Sequence, residues 1–310
     1  MAGNTTYSTG TSANIFEDVE NVIQVISPHN TPFISGIGKR KINQTKHEWL
    51  EDELRSAAAN AAVEGADASF TEKSQPSRMS NYAQIFQDTF QLSGTMDAVD
   101  LIGRKDEASR VMQKSLKELS TDMEKQFLNG ATASAGTAST ARTAKGMEGF
   151  VSTNDKSFAT YANTNKLSEA LLMDLSQAVF TNSDVDSHNL LVNAPQAVKI
   201  SGWTQNSRIT VNQNADAQKL TMAVMELITP FGKIKVIISR HLDSDTDTSK
   251  TYDRAYLYAP EKFQVGWLRN MKTTELAKTG DSRKFQTVGE ATLICYSEKA
   301  AAKAKKLTRE

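Results

Sequence analysis

The sequence has little of what a chemical site or a secreted scaffold would need. Cys295 is the only cysteine in 310 residues, which excludes an internal disulfide framework and any metal cluster held by several cysteines. Basic and acidic residues number 36 each, so no overall positive field would attract nucleic acid or an anionic membrane. These absences fit a reducing, cytosolic origin and argue against dedicated nucleic-acid binding.

Long apolar runs and aromatic residues are also scarce. No stretch approaches the roughly 20 apolar residues of a membrane helix, and the start, MAGNTTYSTGTSAN, lacks the basic and apolar parts of a signal peptide. We therefore expect a chain that is neither exported nor membrane-spanning. Hydrophobic residues make up 39%, enough for a packed core, but 7% aromatics and a mean hydropathy of -0.46 indicate segments that pack poorly alone.

The candidates for catalysis or metal binding are weak. The sequence contains neither phosphate-loop glycine motif, and its four histidines lack zinc-site spacing. Asp243, Asp245 and Asp247 match the first ligand positions of a calcium loop, but the glycine and the closing carboxylate of such a loop are missing. We interpret this run as a solvated acidic turn and Cys295 as a core thiol. We expect no catalytic residue, no cofactor and no metal.

The first part of the chain indicates an arm followed by a ribbon. Apolar residues at helical spacing from Ile15 to Ile26 predict a short amphipathic helix, and Pro28 and Pro32 predict an extended exit. From about 38 to 95, the strand-like ends HEWLEDEL and NYAQIFQDTFQL enclose a small, polar middle. Because an isolated hairpin is marginal in water, we expect this two-stranded loop to lie against another copy of the chain. One face of its second end is predicted to carry Tyr82, Phe86, Phe90 and Leu92.

The rest of the chain mixes helices and strands. A regular apolar stripe from Ala108 to Phe127 predicts a long helix over 100–129, with a left-handed stop at Asn129-Gly130. Ser168 is predicted to cap a second helix, after which short β-rich runs follow. The ending KAAAKAKKLTRE is predicted to be a basic, helix-prone tail. This order indicates an α+β fold, and it disfavours the alternating pattern of nucleotide-binding folds.

Several of these segments together resemble a known family. They are ISPHNTPFISGIGK, NYAQIFQDTFQLSGT leading into DEASRVMQKSLKELSTDMEKQFLNG, AKGMEGFVSTN, LSEALLMDL, and the end containing LYAP and GEATLICYSEKA. The resemblance is to tailed-bacteriophage major capsid proteins of the Hong Kong 97-type fold, in a branch long classed as a domain of unknown function. It implies an N-terminal arm (1–37), an extended loop (38–95), a spine helix with the start of a peripheral domain (96–165), a mainly axial domain (166–250), and peripheral return strands with a C-terminal tail (251–310).

The same resemblance implies a structural, non-catalytic function. Such subunits form hexamers and pentamers that close an icosahedral head around double-stranded DNA. The expected partners are other copies of the chain, packaged DNA bound without sequence preference, and separate scaffolding, portal and decoration proteins, with no membrane. We expect a virion capsid assembled in the host cytoplasm. An encapsulin-like nanocompartment shell and an unrecognised α+β soluble enzyme are the alternatives. The candidate residues for contacts between subunits are Trp49, Phe70, Tyr82 and Phe86.

Overall fold

The computed structural model describes residues 30–65, 67, 70–99, 107–162, 164–203, 226–247 and 250–309, so the helix predicted between Ile15 and Ile26 lies outside the described residues. The helices are α1 (Pro32–Gly36), α2 (Gly94–Ala98), α3 (Glu107–Asn129), α4 (Met147–Phe150), α5 (Glu169–Asn182) and α6 (Ala194–Trp203). The strands are β1 (Gly38–Lys41), β2 (Lys46–Glu51), β3 (Ser77–Tyr82), β4 (Gln84–Ser93), β5 (Ser187–Val192), β6 (Glu226–Thr229), β7 (Gly232–Ile238), β8 (Asp245–Asp247), β9 (Lys250–Tyr258), β10 (Phe263–Leu276), β11 (Ser282–Cys295) and β12 (Ala301–Thr308). The predicted α+β class is confirmed.

A four-stranded sheet in the order β1-β10-β11-β4 carries the long helix α3 on one face. The alternation predicted for the last of these strands is present, because inward positions of β4 are more buried than the outward ones. Phe86 meets Phe127 of α3 edge-on with ring centroids 6.1 Å apart, and Phe90 stacks on Phe285 of β11 at 5.0 Å. The helix and the sheet therefore form one core.

A second sheet, in the order β12-β9-β5-β7-β6 with β8 paired to β9, is covered on both faces. Leu191 and Tyr256 face the core that contains α3, whereas their strand neighbours Leu190 and Leu257 face a second core formed with α5 and α6. Successive side chains of a strand point to opposite faces, so this one sheet joins the two cores. The apolar runs LLV and AYLYA reflect that double burial.

Helix α3 confirms the predicted apolar stripe. Ala108, Leu119, Met123 and Phe127 are buried, and the Lys114 ammonium lies 3.5 Å from the Glu118 carboxylate on the exposed side. The helix is followed by Gly130, but the predicted left-handed stop is wrong, since Gly130 has no positive φ.

Close packing, not backbone handedness, explains this glycine. The N–H of Gly130 donates to the carbonyl of Gln126 at 2.8 Å, and a Cβ at position 130 would stand 2.7 Å from that same oxygen. A larger residue would force the turn after α3 apart.

Two further predictions about helix starts have different outcomes. The Ser168 hydroxyl accepts a hydrogen bond from the N–H of Leu171 at 3.2 Å, which confirms the predicted cap of α5. Pro32 was expected to lie in an extended exit, and it instead opens helix α1. A proline fits there because the N–H of the first helical residue has no hydrogen-bond acceptor within the helix.

The basic C-terminal tail is a strand, so the predicted helix is wrong. Strand β12 forms an edge of the second sheet by pairing with β9, and Ala301, Ala302 and Ala304 are completely buried. The burial of these alanines in the core outweighs the high helix propensity of alanine and lysine. Residues 251–310 are thus divided between the sheets, because β9 and β12 belong to one and β10 and β11 to the other.

Candidate subunit interface

The extended loop begins as a two-stranded ribbon. β2 and β3 pair antiparallel over six residues each, with Trp49 opposite Met79. The Trp49 side chain is only 8% exposed and lies against Phe150 of α4, with ring centroids 6.1 Å apart. The base of the ribbon therefore packs on the body of its own subunit and does not project freely.

Asn81 fixes the ribbon to that body. Its Nδ2 donates to the carbonyls of Lys145 and Leu293 at 2.9 and 2.8 Å, and its Oδ1 accepts from the N–H groups of Lys145 and Tyr82 at 2.8 and 2.9 Å. These four bonds use all the usual hydrogen-bonding capacity of a side-chain amide. We did not single out Asn81 from the sequence, although an asparagine within a strand-like run, where it is disfavoured, was a usable signal.

Beyond the ribbon, the described residues of 52–76 have no helix or strand and are exposed. Phe70 and Leu54 are each 98% exposed, and Val63 is 79% exposed. Large apolar side chains left in water cost free energy that contact with another surface would recover. Their clustering on one loop, without cover from the described part of their own chain, is typical of an interaction surface.

The four residues predicted for subunit contacts do not share one environment. Trp49 and Phe86 are 8% and 5% exposed and belong to the subunit's own core, so they have almost no surface to offer a neighbour. Their contact with a neighbouring subunit stays a prediction. Tyr82 is half-buried at the end of β3, and the buried Ala83 separates it from the inward face of β4. Phe70 is the one of the four that is fully available.

A cluster of charged side chains around α4 holds segments of the subunit together. The Glu148 carboxylate of α4 accepts from the Tyr256 hydroxyl and from the Lys305 ammonium, each at 2.6 Å. The nearby Lys303 ammonium lies 3.3 Å from Asp155. These bonds tie α4 and the segment around Asp155 to β9 and β12.

The other candidate residues for chemistry, Cys295 and the acidic run 243–247, contact groups of their own subunit. Burial raises the pKa of the Cys295 thiol well above its usual range, which leaves no reactive thiolate. Within the acidic run predicted to be a solvated turn, Asp245–Asp247 form β8, which pairs antiparallel with β9, and Asp245 pairs with Arg254. Across the described ranges, no group of three or more histidine, cysteine or acidic residues is placed to hold a metal.

No helix in the described ranges is long and apolar enough to cross a membrane.

Comparison with known families decides the identity of this fold. The sequence profile of the SU10 major capsid protein matches residues 2–308. The chain belongs to that family. The capsid subunit is also 39% identical, over 111 residues, to the major capsid protein of Escherichia phage Phieco32. That alignment covers 36% of this chain and 32% of the relative, so it spans about a third of the relative's length.

Solved structures show the same fold at low sequence identity. The capsid of an empty GTA particle has a TM-score of 0.65 at 11% identity, with 97% of this chain and 99% of the other covered. A solved structure from Gordonia phage Cozz has a TM-score of 0.60 at 10% identity, with 96% of this chain and 92% of the other covered. The SrpI encapsulin of Synechococcus elongatus has a TM-score of 0.62 at 8% identity, covering 95% and 93%. The predicted Hong Kong 97-type capsid fold is confirmed, and the family match favours the phage branch over the encapsulin alternative.

Proposed function

We propose that this capsid subunit self-assembles into hexamers and pentamers that form the icosahedral wall of a phage head around double-stranded DNA, without catalysis. The observation that carries the proposal is the exposure of the described residues of loop 52–76, among which Phe70 and Leu54 are 98% exposed although the fold supplies two well-packed cores. A subunit that leaves such side chains uncovered needs a neighbour to cover them. Membership of the SU10 major capsid protein family supports a neighbour that is another copy.

The charge balance supports a wall that contains DNA without binding it tightly. Basic and acidic residues are equal at 36 each, so packaged DNA meets no overall attraction and is held without sequence preference. Many modest contacts between copies add up through multivalency, and no single large interface is needed. Separate scaffolding, portal and decoration proteins complete the assembly, which takes place in the host cytoplasm.

Sedimentation velocity of the purified chain, alone and co-expressed with the other head proteins of its phage, tests this proposal. We expect a large, discrete species in addition to the free subunit. The matched control replaces residues 56–73 by a short glycine-serine linker, which should retain the circular dichroism of the subunit and abolish the large species. A wild-type chain that sediments only as a monomer under both conditions would overturn the proposed function.

A further inference from the structure

The short helix α1 is capped by a side chain from a distant part of the subunit. Thr31, at the N-cap position of α1, makes no side-chain capping bond. The Glu124 carboxylate of α3 takes its place, because its two oxygens accept from the N–H groups of Phe33 and Ile34 at 2.8 Å each. The first N–H groups of a helix have no acceptor within the helix, so this contact fastens the start of α1 to the long helix α3.

The surroundings of Glu124 supply no compensating charge. Its side chain is fully buried, and among the described residues no cation pairs with it. α1 contributes the apolar side chains of Phe33 and Ile34, and β9 contributes Tyr258, whose pKa burial and the Glu124 charge raise to about 12, so the phenol stays neutral. An ionised carboxylate in such a place costs free energy that contact with water would recover.

The apolar contacts of α1 do not change with pH. The Phe33 ring packs edge-on against Tyr258 and Phe263, with ring centroids 5.3 and 6.3 Å apart. These contacts hold α1 equally well whether Glu124 is neutral or ionised. Burial raises the pKa of Glu124 to about 7, although its two bonds to N–H groups oppose the rise. The carboxyl group is therefore the part of the junction whose contribution varies near neutral pH.

A cavity of about 340 Å³ lies beside this junction. Its lining includes Thr31, Ile34 and Ser35 at α1 and Ser120 and Met123 on α3. α1 is thus not closely packed on every side. A helix that borders open space has fewer contacts to lose when it shifts, so local opening costs less there than in the centre of a sheet.

We propose that Glu124 is a proton-dependent latch for α1. While the carboxyl group is neutral, α1 stays docked on α3. When the group ionises, undocking of α1 lets water reach the charge, and the open form becomes more populated. Residues 1–29 precede α1 in the chain, so the latch controls the point at which they join the rest of the subunit. The latch lies within one subunit and operates with or without a shell.

Hydrogen exchange of the unassembled subunit, corrected for the intrinsic effect of pH on exchange, tests the latch. The open form returns Glu124 to its ordinary value of 4.5, so protection of segment 31–37 should fall roughly 50-fold between pH 5 and pH 8, mostly below pH 7. Segment 290–295 of β11, which lies between β10 and β4, reports unfolding of the whole subunit and should stay better protected at every pH. Equal protection of the two segments would overturn the latch, because α1 would then open only by global unfolding.

The direction of the change separates Glu124 from histidines that titrate in the same range. Burial lowers the pKa of His47 and of His188, so their titration would make protection rise with pH. Protection of segment 31–37 that is constant or rises from pH 5 to pH 8 in the wild-type chain would therefore contradict the latch.

A pair of variants assigns the effect to one carboxyl group. Glu124→Gln does not titrate and should abolish the fall in protection of segment 31–37. Glu118→Gln, on the exposed side of α3, is the matched control and should follow wild type. A fall that persists in Glu124→Gln would overturn the assignment to Glu124, and the wild-type profile remains decisive if that variant does not fold.

Discussion

The side-chain amide of Asn81 donates a hydrogen bond to the backbone carbonyl of Leu293 at 2.8 Å, and this bond joins the ribbon to β11. The same amide bonds to the backbone of Lys145, so three segments distant in sequence meet at one fully buried side chain. The direction in which the ribbon leaves the subunit depends on that junction.

Replacement of Asn81 by alanine should therefore destabilise the subunit by about 2–4 kcal/mol, because buried carbonyl and N–H groups would lose their partner. Urea unfolding of the unassembled subunit measures the change. Asn60→Ala, in the exposed loop, is the control and should change the free energy of unfolding by less than about 0.5 kcal/mol. Equal effects at the two positions would show that the junction does not hold the ribbon.

Phe86 and Phe70 should separate folding from assembly. Phe86→Ala removes a ring that packs against Phe127 and should cost about 3–5 kcal/mol of subunit stability. Phe70→Ala should leave the unfolding free energy nearly unchanged, since the side chain is 98% exposed, and should lower the yield of particles. Paired denaturation and sedimentation measurements give both quantities. Normal particle yield from Phe70→Ala would remove this side chain from the contact between subunits.

Glu124 should make the subunit sensitive to pH near neutrality. Burial on α3 raises the pKa of Glu124 to about 7, even though its carboxylate accepts hydrogen bonds from the N–H groups of Phe33 and Ile34 at 2.8 Å each. Between the ordinary value of 4.5 and 7, the folded state binds more protons than the unfolded state. The contribution of this group to stability therefore falls as pH rises through that window, by up to about 3 kcal/mol.

Glu124→Gln should remove that dependence, because the amide does not titrate. Relative to wild type, the variant should gain stability between pH 5 and pH 8, as urea unfolding at both values would measure. Glu118→Gln, on the exposed side of the same helix, is the control and should parallel wild type. If the difference in unfolding free energy between Glu124→Gln and wild type were the same at pH 5 and pH 8, the Glu124 carboxylate would not take up a proton on folding in this range.

Deletion of residues 301–310 should abolish the folded subunit. The deletion removes β12, exposes the edge of β9 and opens the second core, in which Ala302, Ala304 and Leu307 are fully buried. Replacement of the longer segment 56–73 by a short linker should leave the fold intact. Circular dichroism and the soluble fraction after expression compare the two, and a folded subunit from the first deletion would contradict the placement of β12 in the core.

Local patterns predicted the elements whose signals lie within their own sequence. The stripe on α3, the Ser168 cap and the alternation in β4 all follow from spacing along the chain. The KAAAKAKKLTRE ending failed because its helix propensity is local, whereas its strand pairing depends on β9, about 50 residues earlier. The prediction at Gly130 was wrong for a related reason, since a Cβ at that position would also stand 2.9 Å from the carbonyl of Ala144, which lies 14 residues later in the chain.

The prediction of interface residues rests on a different kind of pattern. Alternation correctly marked Phe86 as facing a covered surface, but a sequence pattern does not identify whether that cover is a helix of the same subunit or another copy. In this fold the cover is α3, through Phe127. Phe70 carried no periodic signal at all, and its neighbours in a small, polar segment are what leave it exposed.

Electron microscopy of the purified chain, expressed alone and together with the other head proteins of its phage, tests the central claim most directly. The account predicts closed particles whose averaged images resolve into rings of six and five subunits, with the loop 52–76 of each subunit lying on its neighbour. A dispersed monomer under both conditions, with loop 52–76 folded against its own subunit, would contradict it.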